Sequence, residues 1–209
     1  MSGRSQASVL LVLGATLLAV SAFSSMYANY VRPGYRPALV VTGVALVLLA
    51  IPAFLGRGRA PRVAWLLVVP VFAIVVVVPP PLGSYAARNG VTAPPPAAGY
   101  TAALGEGVAE LTLGEFTGRA MAGRSLAGRR VSLTGFVVHV PGGWYVARMR
   151  MACCAADAFV LEVAVEGAAA PREDQWVRVT GTWVPRDEPA IGVDEVVPVA
   201  APEEPYELM

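Results

Sequence analysis

The chain has 209 residues, 56% of them hydrophobic, and a mean hydropathy of +0.57. Its net charge of +1 conceals two oppositely charged parts. Before position 84 there are six arginines and no acidic side chain; after it there are ten arginines and all 15 acidic side chains, giving +6 and −5. The basic part suits anionic lipid headgroups. The acidic part is poorly suited to neutralise phosphates, so we expect no nucleic-acid partner.

Three uncharged apolar stretches fill the first part: Ala7–Tyr30, Pro37–Leu55 and Val63–Leu82. Each has about the ~20 residues that a helix needs to cross a membrane. In lipid the backbone must satisfy its own hydrogen bonds, which favours helices. The sequence therefore predicts a transmembrane anchor of three helices over residues 1–82, with a cleaved signal peptide as the alternative for the first stretch.

The arginines between these stretches predict the orientation of the chain. Positive residues concentrate in cytoplasmic loops, and the densest cluster is Arg57, Arg59 and Arg62, between the second and third stretches. With that loop inside, the domain after the third helix lies outside the cytoplasmic membrane. The stretches contain no ionisable residue of the kind that marks ion pathways, so we expect an anchor and not a pore.

After the third stretch the chain becomes rich in proline. Residues 83–110 are predicted to form an exposed linker, with Pro94–Pro96 as a stiff polyproline segment. Thr112 and Glu115 then match a capping box, which predicts a short helix over Gly114–Met121.

From Gly128 onward the hydrophobic pattern has a period of two, which predicts strands. The predicted strands are Arg130–Val140, Trp144–Met151, Phe159–Val165, Trp176–Val184 and Ile191–Val199. Five short strands with glycines at tight corners favour a soluble all-β domain over residues 111–200, an OB-like barrel, followed by a tail over 201–209. A strand meander or a small sandwich is the alternative.

The two cysteines of the chain, Cys153 and Cys154, are adjacent. Thiolates bind soft or borderline metal ions such as zinc or copper, and His139 and Asp157 are the residues that would complete a ligand set. In a strand, Met149 and Met151 would share a face with Cys153, a soft row suited to Cu(I). Burial of both methionines in the barrel core is the simpler interpretation.

Two other interpretations of the cysteine pair stay open. Adjacent cysteines can close a strained disulfide, and strained disulfides are the labile or regulatory ones. Alternatively, both cysteines are small buried residues at a tight bend between strands. A lone histidine such as His139 at the end of a strand is also more often solvated than a ligand.

The sequence offers little for catalysis. His139 is the single histidine, there is no glycine-rich phosphate loop, and the acidic pairs Glu173-Asp174 and Asp187-Glu188 fall in predicted loops. We therefore expect a protein that is not an enzyme.

Four stretches of the chain resemble a bacterial family described as the small subunit of a two-component membrane permease: Pro79–Gly90, Gly128–Val138, Arg148–Ala158 and Trp176–Gly181. The most specific motif is Cys-Cys-Ala-Ala-Asp over residues 153–157. The motif and packing positions within these stretches are Arg148, Gly135, Phe136, Trp176 and Gly181. The resemblance implies membrane helices, a β-rich domain of unknown function and a larger polytopic permease as partner. It also favours a metal or redox role for Cys153, Cys154 and Asp157.

The leading hypothesis is a non-enzymatic accessory subunit of a permease complex in the cell membrane. Its outer domain would cap or gate the permease, or bind solute or metal. The alternative is a stand-alone membrane-tethered protein that uses Cys153 and Cys154 for metal binding or thiol redox chemistry. Binding of nucleic acid or oligosaccharide rests on the analogy with OB folds alone.

Overall fold

A computed structural model describes residues 3–55, 81–90, 100, 103–122 and 126–208. The chain divides into two compact units, Met1–Pro81 and Leu82–Met209. The predicted third apolar stretch, Val63–Leu82, lies almost wholly outside the described residues, and so does the polyproline segment Pro94–Pro96.

In the first unit, helix α1 (Gly3–Ala22) packs along helix α2 (Arg36–Leu55). The helices run antiparallel, because Gly14 lies beside Val47 whereas Leu18 lies beside Gly43. A Cβ atom on Gly14 would lie 2.8 Å from the carbonyl oxygen of Gly43. Small residues thus allow the close backbone approach typical of paired membrane helices.

Arg36 joins the two helices through the free carbonyls at the end of α1. Its guanidinium donates hydrogen bonds to the carbonyl oxygens of Ser21, at 2.9 Å, and Ala22, at 3.1 Å. It also lies over the ring of Tyr27, 5.6 Å from the centroid. A cation at the C-terminus of a helix complements both the unpaired carbonyls and the helix dipole. Arg36 therefore has a structural role that charge counting between apolar stretches does not reveal.

One segment of the described chain, Pro33–Leu55, is long and apolar enough to cross a membrane, with a mean hydropathy of 2.6. Only 11% of the most apolar part of this segment is buried, whereas a core helix of a soluble protein is mostly buried. The first predicted span, Ala7–Tyr30, is shorter than expected: the helix ends at Ala22, and Met26–Asn29 forms a separate 3₁₀ turn. The finding favours membrane association through α2.

The second unit is rich in β structure. Its elements, in chain order, are α3 (Ser84–Asn89), β1 (Ala109–Glu110), α4 (Leu113–Met121), β2 (Arg130–Val140), β3 (Gly143–Met151), β4 (Phe159–Glu166), β5 (Trp176–Val184), β6 (Ala190–Pro198) and β7 (Glu207–Leu208). The bounds of the five long strands agree with the predicted ones to within one residue at each end. Helix α4 is capped as predicted, since the Thr112 hydroxyl accepts a hydrogen bond from the backbone of Glu115 at 3.1 Å.

The five long strands form a closed ring in the order β2-β5-β6-β4-β3 and back to β2. All pairs in the ring are antiparallel except β4 with β6, which run parallel. Strand β2 closes the ring because it pairs with β5 up to Phe136 and with β3 from Phe136 onward. The predicted ring of five strands is thus confirmed.

The interior of the ring is filled by side chains from all five long strands and from α4. Leu133, Val146, Leu161 and Val179 point inward at 2% exposure or less, and Phe116 of α4 packs against them. Alternate residues of each strand face this core, as the period of two requires. The ring is therefore a packed barrel of side chains and not an open pore.

A second apolar layer covers the outer face of β2, β3 and β4. It contains Met149 and Met151, which are 2% and 1% exposed, together with Ala87 of α3 and Tyr206 near the C-terminus. The prediction that these methionines point into the barrel core is therefore wrong. They are buried, but against a layer formed by α3 and the C-terminal segment.

This outer layer also corrects the predicted linker and tail. Helix α3 lies in the predicted linker, yet its first backbone N–H donates to Asp174 at 2.6 Å, and Arg88 pairs with Glu173. In the predicted tail, the buried Glu207 carboxylate accepts hydrogen bonds from the first two N–H groups of α4, at 2.6 and 3.0 Å. Both segments are parts of the folded domain.

We predict that Gly135→Ala destabilises the β-rich unit by about 1–3 kcal/mol, because a Cβ atom there would overlap the carbonyl oxygen of Ala147 and approach Val146. Gly143→Ala in the neighbouring strand is the matched control, since a Cβ atom at that position meets nothing within 4 Å. Thermal unfolding of the full chain in detergent measures both. Equal stability of the two variants would contradict the account of ring closure.

Candidate functional site

The two cysteines lie in the loop that joins β3 to β4, and Asp157 holds this loop together. Its carboxylate accepts hydrogen bonds from the backbone N–H groups of Ala152, at 3.1 Å, and Cys153, at 2.9 Å. Its own N–H donates to the carbonyl oxygen of Cys154 at 3.0 Å. The Asp157 side chain thus holds the backbone just before and at the first cysteine, and the backbone N–H of Asp157 closes a turn on the second cysteine.

The ligand atoms of Cys153, Cys154 and Asp157 all lie within 4.8 Å of one another. Both cysteines are free, and their Sγ atoms lie 3.6 Å apart, well beyond the ~2.05 Å of a disulfide bond. Cys153 is exposed and Cys154 is half-buried. The alternative that both cysteines are buried packing residues at a tight bend therefore does not hold.

The neighbouring carboxylate keeps the Cys153 thiol protonated at neutral pH. The hydrogen bond that its thiol donates to Asp157, with smaller effects from Cys154 and desolvation, raises the pKa of Cys153 to about 12. The same hydrogen bond lowers the pKa of Asp157, so the carboxylate is ionised at neutral pH. Since the thiolate is the reactive form of cysteine, Cys153 is a weak nucleophile at neutral pH. This chemistry is unlike that of redox cysteines, whose pKa is lowered.

His139 does not belong to this group of ligands. It pairs with Trp144 at the start of β3, whereas the cysteines follow the end of that strand. Its Nε2 lies 2.7 Å from the carbonyl oxygen of Pro171, and its Nδ1 lies 3.2 Å from the Glu173 carboxylate. Although desolvation raises the pKa of Glu173, hydrogen bonds from Arg88 and His139 help to lower it overall. The structure therefore brings together three of the four predicted metal ligands.

Three motif residues pack together and stabilise β3, the strand that leads to the cysteines: Arg148, Trp176 and Phe136. Arg148 lies over the ring of Trp176, 5.7 Å from its centroid, and Phe136 packs edge-on to the same ring. The Arg148 guanidinium also donates to the carbonyl oxygens of Glu204, at 2.8 Å, and Pro205, at 3.3 Å. Arg148 therefore fastens the C-terminal segment across β3, just before the cysteine loop.

The two motif glycines lie where backbones approach most closely. A Cβ atom on Gly135 would overlap the carbonyl oxygen of Ala147, and one on Gly181 would overlap that of Gly192. Gly181 also follows an irregularity in the pairing of β5 with β6. Both positions therefore shape the ring that carries the loop, and neither contacts the cysteines through a side chain.

A polar cleft of about 530 Å³ lies at the opposite end of β3. The turn between β2 and β3 forms one wall with Trp144 and Tyr145, and the loop between β5 and β6 contributes Arg186 and Glu188. Arg186 pairs with Glu166 at 2.6 Å, and the Tyr145 hydroxyl donates to Glu188 at 3.3 Å. Since β3 is nine residues long, about 27 Å separate this cleft from the cysteine loop. The two features are independent.

Tyr206 and Glu207 support the site from outside the barrel, a role that the sequence pattern did not predict. The Tyr206 hydroxyl accepts a hydrogen bond from the backbone of Leu82 at 3.0 Å, and Glu207 lies opposite Arg150 in the register of the parallel strands β7 and β3.

We predict that Asp157→Asn lowers the pH at which Cys153 is alkylated by about one pH unit or more, because it removes the carboxylate that accepts the hydrogen bond of the thiol, together with its negative charge. The measurement is the alkylation rate against pH in chelator-treated protein carrying Cys154→Ser, so that one thiol reacts. The exposed Asp187→Asn is the matched control and leaves the profile unchanged. Identical profiles for both variants would show that Asp157 does not control the thiol.

Residues 122–207 match the family model of the DUF1980 C-terminal domain, a domain of unknown function. The match covers the five ring strands, the cysteine loop and the start of β7. No curated protein matches the chain. No solved structure matches it either. The β-rich unit of the chain is therefore similar to this domain family.

Proposed function

We propose that the protein is a non-enzymatic accessory subunit of a membrane permease complex, whose outer domain binds a soft or borderline metal ion. The observation that carries the metal-binding part is the convergence of Cys153, Cys154 and Asp157 within 4.8 Å on an exposed loop. Thiolates and carboxylates both bind zinc, and thiolates also suit copper. The ion is the cargo or the regulator of the complex.

Several features support the membrane part of the proposal. Helix α2 presents outward apolar side chains such as Val41, Leu48 and Ile51, which suit lipid or a second membrane protein. The proposal takes the third apolar stretch as a further span; the arginine cluster in the sequence then supports a β-rich unit outside the cytoplasmic membrane. The five-stranded ring with one parallel pair suits an OB-like barrel, whose ends are open to ligands and partners.

The scarcity of charged side chains in the described membrane segment supports the accessory role. The described candidate membrane segment, Pro33–Leu55, contains one arginine. This residue, Arg36, already donates a hydrogen bond to a carbonyl oxygen at the end of α1. No other acidic or basic side chain lies in this segment to line a solute path. The resemblance to the small subunit of a two-component permease supplies the kind of partner, a larger polytopic protein that contains the path.

A stand-alone metal-binding protein is the second candidate. It is favoured by the fact that the three ligand atoms come from one short loop of a single chain. Such a loop requires no partner to assemble. Here the protein would hold its metal ion at the membrane surface without a permease.

One purification tests both candidates. The full chain is isolated in mild detergent through a terminal tag, and the sample is assayed for bound metal and for a co-purifying polytopic membrane protein. We expect about one zinc or copper ion per chain together with such a partner. Cys153→Ser and Cys154→Ser should each lose most of the metal, whereas the exposed Asp187→Asn control should retain it.

The outcomes separate the proposals. Metal without a partner, under conditions that preserve other membrane complexes, contradicts the accessory role and supports the stand-alone protein. A partner with no metal in any sample contradicts metal binding. Loss of metal in the Asp187→Asn control as well would show that the ion does not occupy the cysteine loop.

A further inference from the structure

The geometry of the cysteine loop also points to the class of ion that it takes. We propose that Cys153, Cys154 and Asp157 form a four-coordinate site for a borderline divalent cation of the zinc class, with its fourth position open to an incoming ligand. The inference rests on the metal-binding part of the proposed function and specifies coordination number, ligand set and exchange. Three observations on the described residues carry it.

The first observation is the separation of the two sulfur atoms. In a tetrahedral zinc site with Zn–S bonds of ~2.3 Å, two sulfur ligands lie ~3.8 Å apart. Two sulfurs on opposite sides of a linear two-coordinate ion would lie ~4.6 Å apart at the same bond length. The Sγ atoms of Cys153 and Cys154 lie 3.6 Å apart, close to the tetrahedral value.

The second observation is the nature of the third ligand. Asp157 carries a carboxylate that accepts a hydrogen bond from the backbone N–H of Cys153 at 2.9 Å, and its ligand oxygen lies within 4.8 Å of both sulfur atoms. Carboxylate oxygens bind zinc, whereas Cu(I) selects thiolates and thioethers. On binding, each thiol releases one proton to solvent, and the ion keeps its oxidation state. Two thiolates and one carboxylate carry three negative charges, and a divalent ion neutralises more of this charge than a monovalent one.

The third observation concerns the methionines. Met149 and Met151 are the thioethers nearest in sequence to the cysteine pair, and they would be the natural additional ligands for Cu(I). Their side chains are 2% and 1% exposed in the outer apolar layer beneath α3 and Tyr206. Cys153 is exposed to solvent. The soft row that would favour Cu(I) is therefore not formed at the loop.

The open fourth coordination position is inferred from the number of protein ligands and from the exposure of the loop. Structural zinc sites are closed by four protein ligands, whereas sites with three protein ligands keep one position for water or substrate. Among the described residues, the group of ligand atoms within 4.8 Å contains three members, and two of the three side chains are exposed. A water molecule or a donor from a partner can complete the shell, which suits an ion that is exchanged and not permanently held.

The test uses Co(II) as a spectroscopic probe for zinc in the metal-free full chain in detergent. We expect the strong visible bands of four-coordinate Co(II), a sulfur-to-cobalt charge-transfer band, and loss of both when Zn(II) is added. Imidazole should change the visible bands, because it enters the open position. Asp157→Asn should weaken Zn(II) binding at least about tenfold and leave Cu(I) binding unchanged, and Asp187→Asn should change neither.

Each other result contradicts a defined part of the account. Weak bands of six-coordinate Co(II), or Zn(II) affinity unchanged by Asp157→Asn, would overturn the proposed ligand set. Bands that imidazole does not alter would overturn the open position. Binding of Cu(I) with no binding of Zn(II) or Co(II) would overturn this inference and leave metal binding intact. Failure of all three ions to bind would overturn both.

Discussion

At Phe136 strand β2 exchanges one neighbour for another, and the closed ring depends on this exchange. The backbone of Phe136 pairs with Trp176 of β5 and also with Ala147 of β3. Gly135 permits this change of partner, because a Cβ atom there would overlap the carbonyl oxygen of Ala147. With the ring closed, alternate residues of the five strands share one core, and the strand ends are left to carry loops. The cysteine loop is one of these loops.

The loop is held from three directions, so its cysteines occupy defined positions. Asp157 hydrogen-bonds to the backbone of Ala152, Cys153 and Cys154, the ring fixes β3 and β4, and Arg148 holds the C-terminal segment over β3. A surface loop without such support would lose conformational entropy when it bound an ion. The fold thus pre-organises an exposed group of ligands while it buries the neighbouring methionines in a separate layer.

The period of two was sufficient to predict β2 to β6, because each of these strands buries one face in a shared core. The same pattern could not show which face of β3 holds Met149, since both faces of that strand are covered. The cover comes from α3 and Tyr206, distant segments whose prolines suggested exposure. Adjacency in sequence was enough to group Cys153, Cys154 and Asp157. His139 was included wrongly with them because spacing along the chain does not show that the length of β3 separates it from the loop.

The measurement that tests the central claim most directly is X-ray absorption at the zinc edge on the zinc-loaded full chain. The account predicts a first shell of two sulfur atoms at ~2.3 Å and oxygen atoms at ~2.0–2.2 Å, four ligands in all. In Cys153→Ser protein one sulfur should be replaced by oxygen or the ion should be lost. A first shell of oxygen and nitrogen alone, unchanged by Cys153→Ser, would contradict the claim that this loop is the metal site.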